Sequence, residues 1–214
     1  MARPAHELAQ ALRPAIGDER VLQAIADVPR DLFVPPQLRD CAWEDSALPI
    51  AAGQTISQPT IVARMCELLE LTGAEAVLDV GTGSGYHAAV LSRLVAHVYS
   101  IERHPELTEG ARRALDLAGI KNVTLVRGDG TRGHPDGAPY DAINVAARTE
   151  QAPAALIEQL AAGGRMVIPV VDEGQRLMRL RRAGGTIQRE RFERVSFVPL
   201  VSDPARAGHP GSFR

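Results

Sequence analysis

The spacing of apolar positions changes along the chain, and the changes divide it into regions. Residues 5–12 and 19–28 place leucine, isoleucine, valine and alanine on one face among charged neighbours, which predicts two short amphipathic helices ahead of any sheet. The stretch 35–53 opens on Pro35-Pro36 and holds turn formers around Trp43, Glu44 and Asp45. Residues 59–71 then present Ile61, Met65, Leu68 and Leu69 on one helical face, with Pro59 suited to a first helical turn. Beyond this point β-branched runs near residues 77, 98, 123, 141 and 165 alternate with helical patterns over 86–94, 105–117 and 153–160. That alternation predicts an α/β fold: a Rossmann-like, doubly wound and mostly parallel sheet. Residues 176–182 and 193–200 read as a closing antiparallel strand pair around Gly184-Gly185, and 202–214, rich in Pro and Gly, as a flexible tail.

The first strand runs into a turn, Val77-Leu78-Asp79-Val80-Gly81-Thr82-Gly83-Ser84-Gly85, whose glycines permit positive φ and let a ligand approach the backbone. The dinucleotide pattern G-x-G-x-x-G needs glycine at 86, where Tyr86 stands, so nicotinamide binding is the poorer reading. The second strand ends in Glu102, 21 residues after Gly81, placed to accept the hydroxyls of a ribose. The third ends in Gly128-Asp129-Gly130, a turn whose acid is expected to meet an adenine amino group. Each acid taken singly also fits a helix or turn cap. Their convergence on one crevice selects a nucleoside. Asp79, inside its strand, needs donors, and the glycine-turn amides are the expected ones.

Composition narrows the field. With 214 residues, 45% of them hydrophobic, the chain can bury one sizeable core, so a single domain is expected, with 1–58 as a helical, substrate-binding segment and 59–201 as the cofactor-binding core. A formal net charge of −2 offers no footprint for a nucleic acid backbone. Cys41 and Cys66 fit neither a metal spacing nor a disulfide framework, and Cys66 should lie on a buried helix face. No run approaches a membrane span and no secretory leader is visible, so a cytoplasmic, membrane-free protein is expected.

Val77 to Tyr86, Ile101-Glu102-Arg103 and Gly128-Asp129-Gly130 resemble the first motifs of class I S-adenosylmethionine methyltransferases. Arg30-Asp31-Leu32-Phe33-Val34-Pro35, Leu48-Pro49-Ile50, Gly53-Gln54-Thr55-Ile56-Ser57-Gln58-Pro59 and Phe197-Val198-Pro199-Leu200 are similar to the protein-L-isoaspartate O-methyltransferase family, a likeness that runs from about Val21 to Val201. The resemblance implies a seven-stranded sheet, S-adenosyl-L-methionine as donor, S-adenosyl-L-homocysteine as product, and isoaspartyl peptides and proteins as substrates of a monomer. It also implies that Asp79, Gly81, Thr82, Gly83, Ser84, Gly85, Glu102, Arg103, Asp129 and Gly130 hold the cofactor. Gln54, Thr55, Ile56 and Ser57 would bind substrate, with Ser57 catalytic.

Local chemistry bears on Ser57 independently. Pro59 makes Gln58 the expected N-cap, so Ser57 stands just outside a helix whose free amides, with Thr55, are expected to gather a carboxylate. A serine merely satisfying a local amide is the competing reading. The sequence departs from the family at His134, expected on an exposed loop within reach of substrate, and at Asn144 with Ala146-Ala147-Arg148. His87 reads as a surface histidine, Trp43 and Tyr86 as packing residues, and the arginines from 176 to 194 as a solvated edge. Three alternatives stay open: a carboxyl methyltransferase for an aspartate of a dedicated partner peptide, a methyltransferase of small molecules or nucleic acid, and a non-catalytic module that keeps the nucleoside pocket.

Overall fold

A computed structural model describes residues 2–202; the tail expected over 202–214 lies almost wholly outside the described residues. Two helices, α1 (Ala2–Leu12) and α2 (Glu19–Asp27), open the chain, and Asp18 caps α2 by accepting from the Arg20 amide at 2.9 Å. Short 3-10 turns over Arg30–Phe33 and Pro36–Cys41 lead to a small hairpin, β1 (Leu48–Pro49) and β2 (Thr55–Ile56), paired Leu48 to Ile56. Helix α3 (Pro59–Leu68) follows, with Gln58 at its N-cap as expected; it stops short of 71 because Glu70 takes a left-handed φ of 48°.

Strands β3 (Ala76–Val80), β4 (His97–Glu102), β5 (Val123–Arg127), β6 (Tyr140–Val145) and β7 (Leu160–Val171) then alternate with α4 (Tyr86–Ser92), α5 (Pro105–Leu117) and α6 (Ala154–Glu158). Helix α4 ends early at a physical stop: the Asn122 side chain donates to the carbonyl of Ser92 at 2.9 Å, satisfying an acceptor the helix leaves open. Helix α6 loses the end of its predicted span to β7, which begins at Leu160.

The sheet has seven strands in the order β5-β4-β3-β6-β7-β8-β9, parallel from β5 to β7 and antiparallel beyond. Strand β8 (Gln175–Ala183) turns directly into β9 (Thr186–Arg194) across Gly184 and Gly185, both with positive φ (54° and 79°), the geometry of a two-residue hairpin. The predicted partner strand over 193–200 is therefore displaced. The true strand, Thr-Ile-Gln-Arg-Glu-Arg-Phe-Glu-Arg, is too polar to reveal itself by apolar alternation, as suits an exposed sheet edge.

The chain leaves β3 for β4 and β5 on one side and returns through β6 on the other, so the sheet reverses direction at β3. Val80 lies level with Ile101 of β4 and Val145 of β6, which brings the carboxyl ends of three strands to one height at the switch point, where such sheets bind ligands. Both sheet faces are covered. Val77, Val98 and Ala142 pack beneath α3 and α4, whereas Leu78, Val80, Ile101 and Ile143 pack on the opposite face. Burial on both faces is why these strands are nearly continuous apolar runs.

Candidate active site

The turn after β3 adopts the conformation that its glycines permit, with φ of 95° at Gly81, 54° at Gly83 and 90° at Gly85, the last serving as N-cap of α4. Glu102, at the end of β4 and 6% exposed, grips this turn: Oε2 accepts from the Gly83 amide at 2.9 Å, and Oε1 from the amides of Arg103 and His104 at 2.9 Å each. Gly81, Gly83, Glu102, Arg103 and Gly130 line one crevice, whose opposite wall is Gln54, Thr55, Ala146 and Ala147. Its roof is a strap, Val198 to Val201, stitched to Arg148 in the segment after β6: the Arg148 amide donates to the Val198 carbonyl at 2.9 Å and the Leu200 amide to the Arg148 carbonyl at 2.8 Å. At Gly130 a β-carbon would meet Val80 Cγ1 at 2.7 Å, so only glycine lets this strand end close against β3.

Several expected cofactor residues lie behind or beside this crevice rather than in its lining. Asp79 is fully buried, and its partners are side chains, not the glycine-turn amides: Ser100 donates to Oδ2 at 2.7 Å and Asn144 to Oδ1 at 2.8 Å. The Thr82 hydroxyl lies 2.6 Å from that of Ser100, which already donates to Asp79, so Thr82 is the donor. Burial without a cation raises Asp79 from its ordinary value to about 6, against the pull of Asn144 and Ser100. Ser84 and Gly83 border a groove toward Phe33 and Pro35, and the Ser84 hydroxyl accepts from the Tyr86 amide at 3.3 Å. Asp129 lines a neighbouring cavity with Arg127 and His134, and its Oδ1 caps the turn after β5 by accepting from the amide and hydroxyl of Thr131 at 2.8 and 2.7 Å.

Histidine 87 is a correction: it is buried at 7% exposure, not a surface residue. Asn144 Nδ2 lies 3.2 Å from His87 Nδ1, and His87 Nε2 lies 3.5 Å from the Cys66 sulfur. Because the Asn144 amide is a donor, Nδ1 accepts, and the proton of the neutral imidazole sits on Nε2, pointing at sulfur. Desolvation lowers the His87 pKa to about 3, and burial pushes the Cys66 thiol well above its usual range. His134, half-buried, stacks near the Tyr99 ring at 5.5 Å and lines the Asp129 cavity, not the one containing Ser57. Tyr86 packs as expected, its ring 5.7 Å from that of Phe33.

Ser57 is half-buried in a second cavity with Gln58, Ile61, Ser196 and Phe197. Thr55, Ala146 and Val198 line both this cavity and the crevice, so the two share a wall. Ile56 points away and is buried at 4% exposure. The expected free helix amides are absent here: Pro59 has none, the Thr60 amide is taken by Asp45 Oδ1 at 2.8 Å, and the Ile61 amide bonds the Gln58 carbonyl at 3.0 Å. The first turn of α3 therefore offers no free amide to a carboxylate at Ser57.

The loop bearing Ser57 is held by Arg30, a fully buried arginine that the sequence shows as part of a family-like block but without its burial or its partners. Its Nη1 donates to the Ala42 carbonyl at 2.6 Å, and its Nη2 to those of Ser46 and Ser57 at 2.9 and 3.1 Å. The guanidinium also lies 5.5 Å from the centre of the Tyr86 ring. One side chain thus fastens three loop carbonyls and the serine segment to the core. Val198 to Leu200 stand in a family-like block, but the sequence does not mark them, His104 or Ala147 as crevice lining, since they come from separate loops.

A switch-point crevice with a glycine turn, a strand-end acid and an adjoining acceptor cavity defines a class I methyltransferase. A family model described as protein-L-isoaspartate(D-aspartate) O-methyltransferase matches residues 5–205. The chain is 52% identical over 195 residues to a protein-L-isoaspartate O-methyltransferase of Roseiflexus castenholzii, covering 91% of this chain and 89% of that one. It is 48% identical over 202 residues to the enzyme of that name from Photobacterium profundum, covering 94% and 97%. Among solved structures, a protein-L-isoaspartate O-methyltransferase superposes with a TM-score of 0.82 at 28% identity, over 93% of this chain and 65% of that one. A Plasmodium falciparum structure of that name in complex with S-adenosyl-L-homocysteine shares the fold, with a TM-score of 0.81 at 24% identity over 93% and 99% of the two chains. The chain belongs to the protein-L-isoaspartate(D-aspartate) O-methyltransferase family.

Proposed function

We propose that this protein transfers a methyl group from S-adenosylmethionine to the free carboxylate of isoaspartyl residues in damaged peptides and proteins. The observation that carries the reading is the shared wall: Thr55, Ala146 and Val198 bound both the crevice of the glycine turn and the cavity of Ser57. A donor in the first and an acceptor in the second would meet across it.

The crevice fits a nucleoside. Gly83 presents no side chain, and the nearest atom to a β-carbon built there is Ile50 Cδ1 at 3.6 Å, so its backbone can be approached closely. Glu102 Oε2 carries one amide bond and keeps acceptor capacity for a ribose hydroxyl; accepting two hydroxyls requires one of its three amides to give way. Gly130 and the strap would border the base of a bound nucleoside. When bound, the sulfonium donor supplies an electrophilic methyl group. The protein's residues do the rest by placement. A peptide carboxylate is already ionised near neutral pH, so no strong base is needed. Ser57 and Thr55 hydroxyls would donate to one carboxylate oxygen and leave the other free to contact the methyl group where the two cavities adjoin. Ala146, Val198 and the strap exclude water, and positioning of this kind can supply about 7–11 kcal/mol. After release, the methyl ester loses methanol to attack by the next backbone nitrogen, giving a succinimide that hydrolyses in part to normal aspartate.

In this reading residues 59–201 supply most of the cofactor crevice, with Gln54 and Thr55 added from 1–58, and the Ser57 segment presents the substrate together with Arg194 to Val198, in a monomeric, cytoplasmic enzyme. No described helix is long and apolar enough to cross a membrane. Incubation with labelled donor and paired peptides differing only in aspartate or isoaspartate tests the proposal. Base-labile methyl ester on the isoaspartyl peptide alone is the expected result; label on the aspartyl peptide alone, or on neither, overturns it.

A further inference from the structure

The cavity of Ser57 carries one formal charge, and it is positive. Arg194, the last residue of β9, lines it beside Ser196 and Phe197, and no Asp or Glu does. The acid next to it in sequence and the one bonded to the cavity's Gln58 are both engaged. Glu193 accepts from Arg64 Nε at 2.9 Å, and Asp45 accepts from Thr60 and Gln58. The Arg194 side chain is exposed and has no carboxylate partner among the described residues. Directly across the strand pair stands Arg176, which donates to the Phe192 carbonyl at 3.1 Å and likewise has no acid partner among the described residues. Like charges opposite one another on antiparallel strands are destabilising. In a protein of net charge −2, a cation lining the acceptor cavity with a second one paired behind it is a local feature that an anionic ligand would relieve.

We infer that Arg194, backed by Arg176, selects isoaspartyl peptides that carry an acidic side chain close to the methyl acceptor. The inference rests on the proposed function and extends it to the choice of substrate. An extended peptide advances about 3.3 Å per residue, so an arginine at the cavity rim meets a side chain within about two or three residues of the acceptor. The acceptor carboxylate is a poor match for this role, because it loses its charge on methylation. A flanking acid keeps its charge from encounter to release, so its contact with Arg194 is uniform binding and appears in KM rather than kcat.

The test is steady-state methylation, by the full chain, of isoaspartyl peptides identical except for Glu, Gln or Lys two residues to either side. The expected preference for Glu over Gln is about fivefold in kcat/KM, expressed through KM and weakened by salt, as for a partly exposed ion pair. Arg194→Ala brings the ratio close to one, Arg194→Lys retains part of it, and Arg194→Glu reverses it in favour of Lys. A wild-type ratio of one overturns the inference, as does a ratio unchanged in the variants or an equal loss on all three peptides, which would mark Arg194 as a contact of the acceptor itself. Each of these leaves the methyltransferase reading standing. Absence of methylation of every isoaspartyl peptide by the wild-type protein overturns that reading and this inference together.

Discussion

Asn144 donates one amide hydrogen to Asp79 at 2.8 Å and directs the same nitrogen at His87 Nδ1 at 3.2 Å, so a single side chain fixes both a buried carboxylate and the tautomer of a buried imidazole. The chain of contacts continues through Ser100 to Thr82 in the glycine turn and through His87 to Cys66 in α3. Polar groups so deeply buried are costly unless paired, which makes Asn144 a support of the turn although it does not line the crevice.

Replacement of Asn144 by leucine leaves Asp79 with Ser100 alone and removes the donor to His87. Stability should fall by about 1–3 kcal/mol, measured by urea denaturation at pH 7.5. An unchanged midpoint would show that the pairing contributes nothing.

His87 and Asp79 pull the pH dependence of stability in opposite directions. The His87 pKa is lowered from 6.5 to about 3 on folding, so the unfolded state binds the extra proton in that window and stability is lost as pH falls through it. The Asp79 pKa is raised from 3.8 to about 6, so the folded state binds the extra proton there and stability is lost as pH rises through it. His87→Gln removes only the first contribution. Between pH 7 and pH 4 the variant should therefore lose about 3 kcal/mol less than the wild type, by comparison of denaturation midpoints. Parallel stability profiles would contradict the assigned burial.

Arg30→Met should strand the carbonyls of Ala42, Ser46 and Ser57 and release the Ser57 loop. The cost in stability is about 3 kcal/mol, and peptide methylation should fall more than donor binding does. Lysine should rescue little, since one ammonium on a flexible stem does not reproduce the planar fork that spans three carbonyls. Calorimetry of donor binding beside initial rates separates the two losses.

Glu102→Gln keeps the shape but turns an acceptor-only group into one that must aim its amide correctly at Gly83, Arg103 and His104. Donor affinity should weaken about tenfold or more by calorimetry, the loss of one charged hydrogen bond being worth about 1.5–3 kcal/mol.

Ser57→Ala should lower kcat at least tenfold while leaving donor affinity near the wild-type value, because the serine lies across the wall from the crevice. Equal losses in both would make Ser57 a structural residue.

The order of elements, the parallel core and the turn at Gly81 to Gly85 were legible in the chain because strand and helix periods differ and buried strands need apolar runs. Glu102 was legible for the same reason, as an acid at a strand end of set spacing. What failed to show were features written in polar residues. Strand β9 is an exposed edge whose side chains are mostly charged, and its place follows from the Gly184-Gly185 turn rather than from its own pattern.

His87 looks, in sequence, like the solvated residue such a type usually is, and Arg30 shows only as the head of a family-like block. Tertiary contact decides otherwise: α4 turns His87 inward onto Cys66 and Asn144, and three loop carbonyls surround the Arg30 guanidinium. Local sequence determined which segments become strands, helices and glycine turns, since those depend on backbone sterics and the period of apolar groups. Only the folded chain decided which polar groups pair, which acid caps α3, and that Thr55, Ala146 and Val198 form a common wall, because partners far apart in sequence meet only when the sheet is assembled.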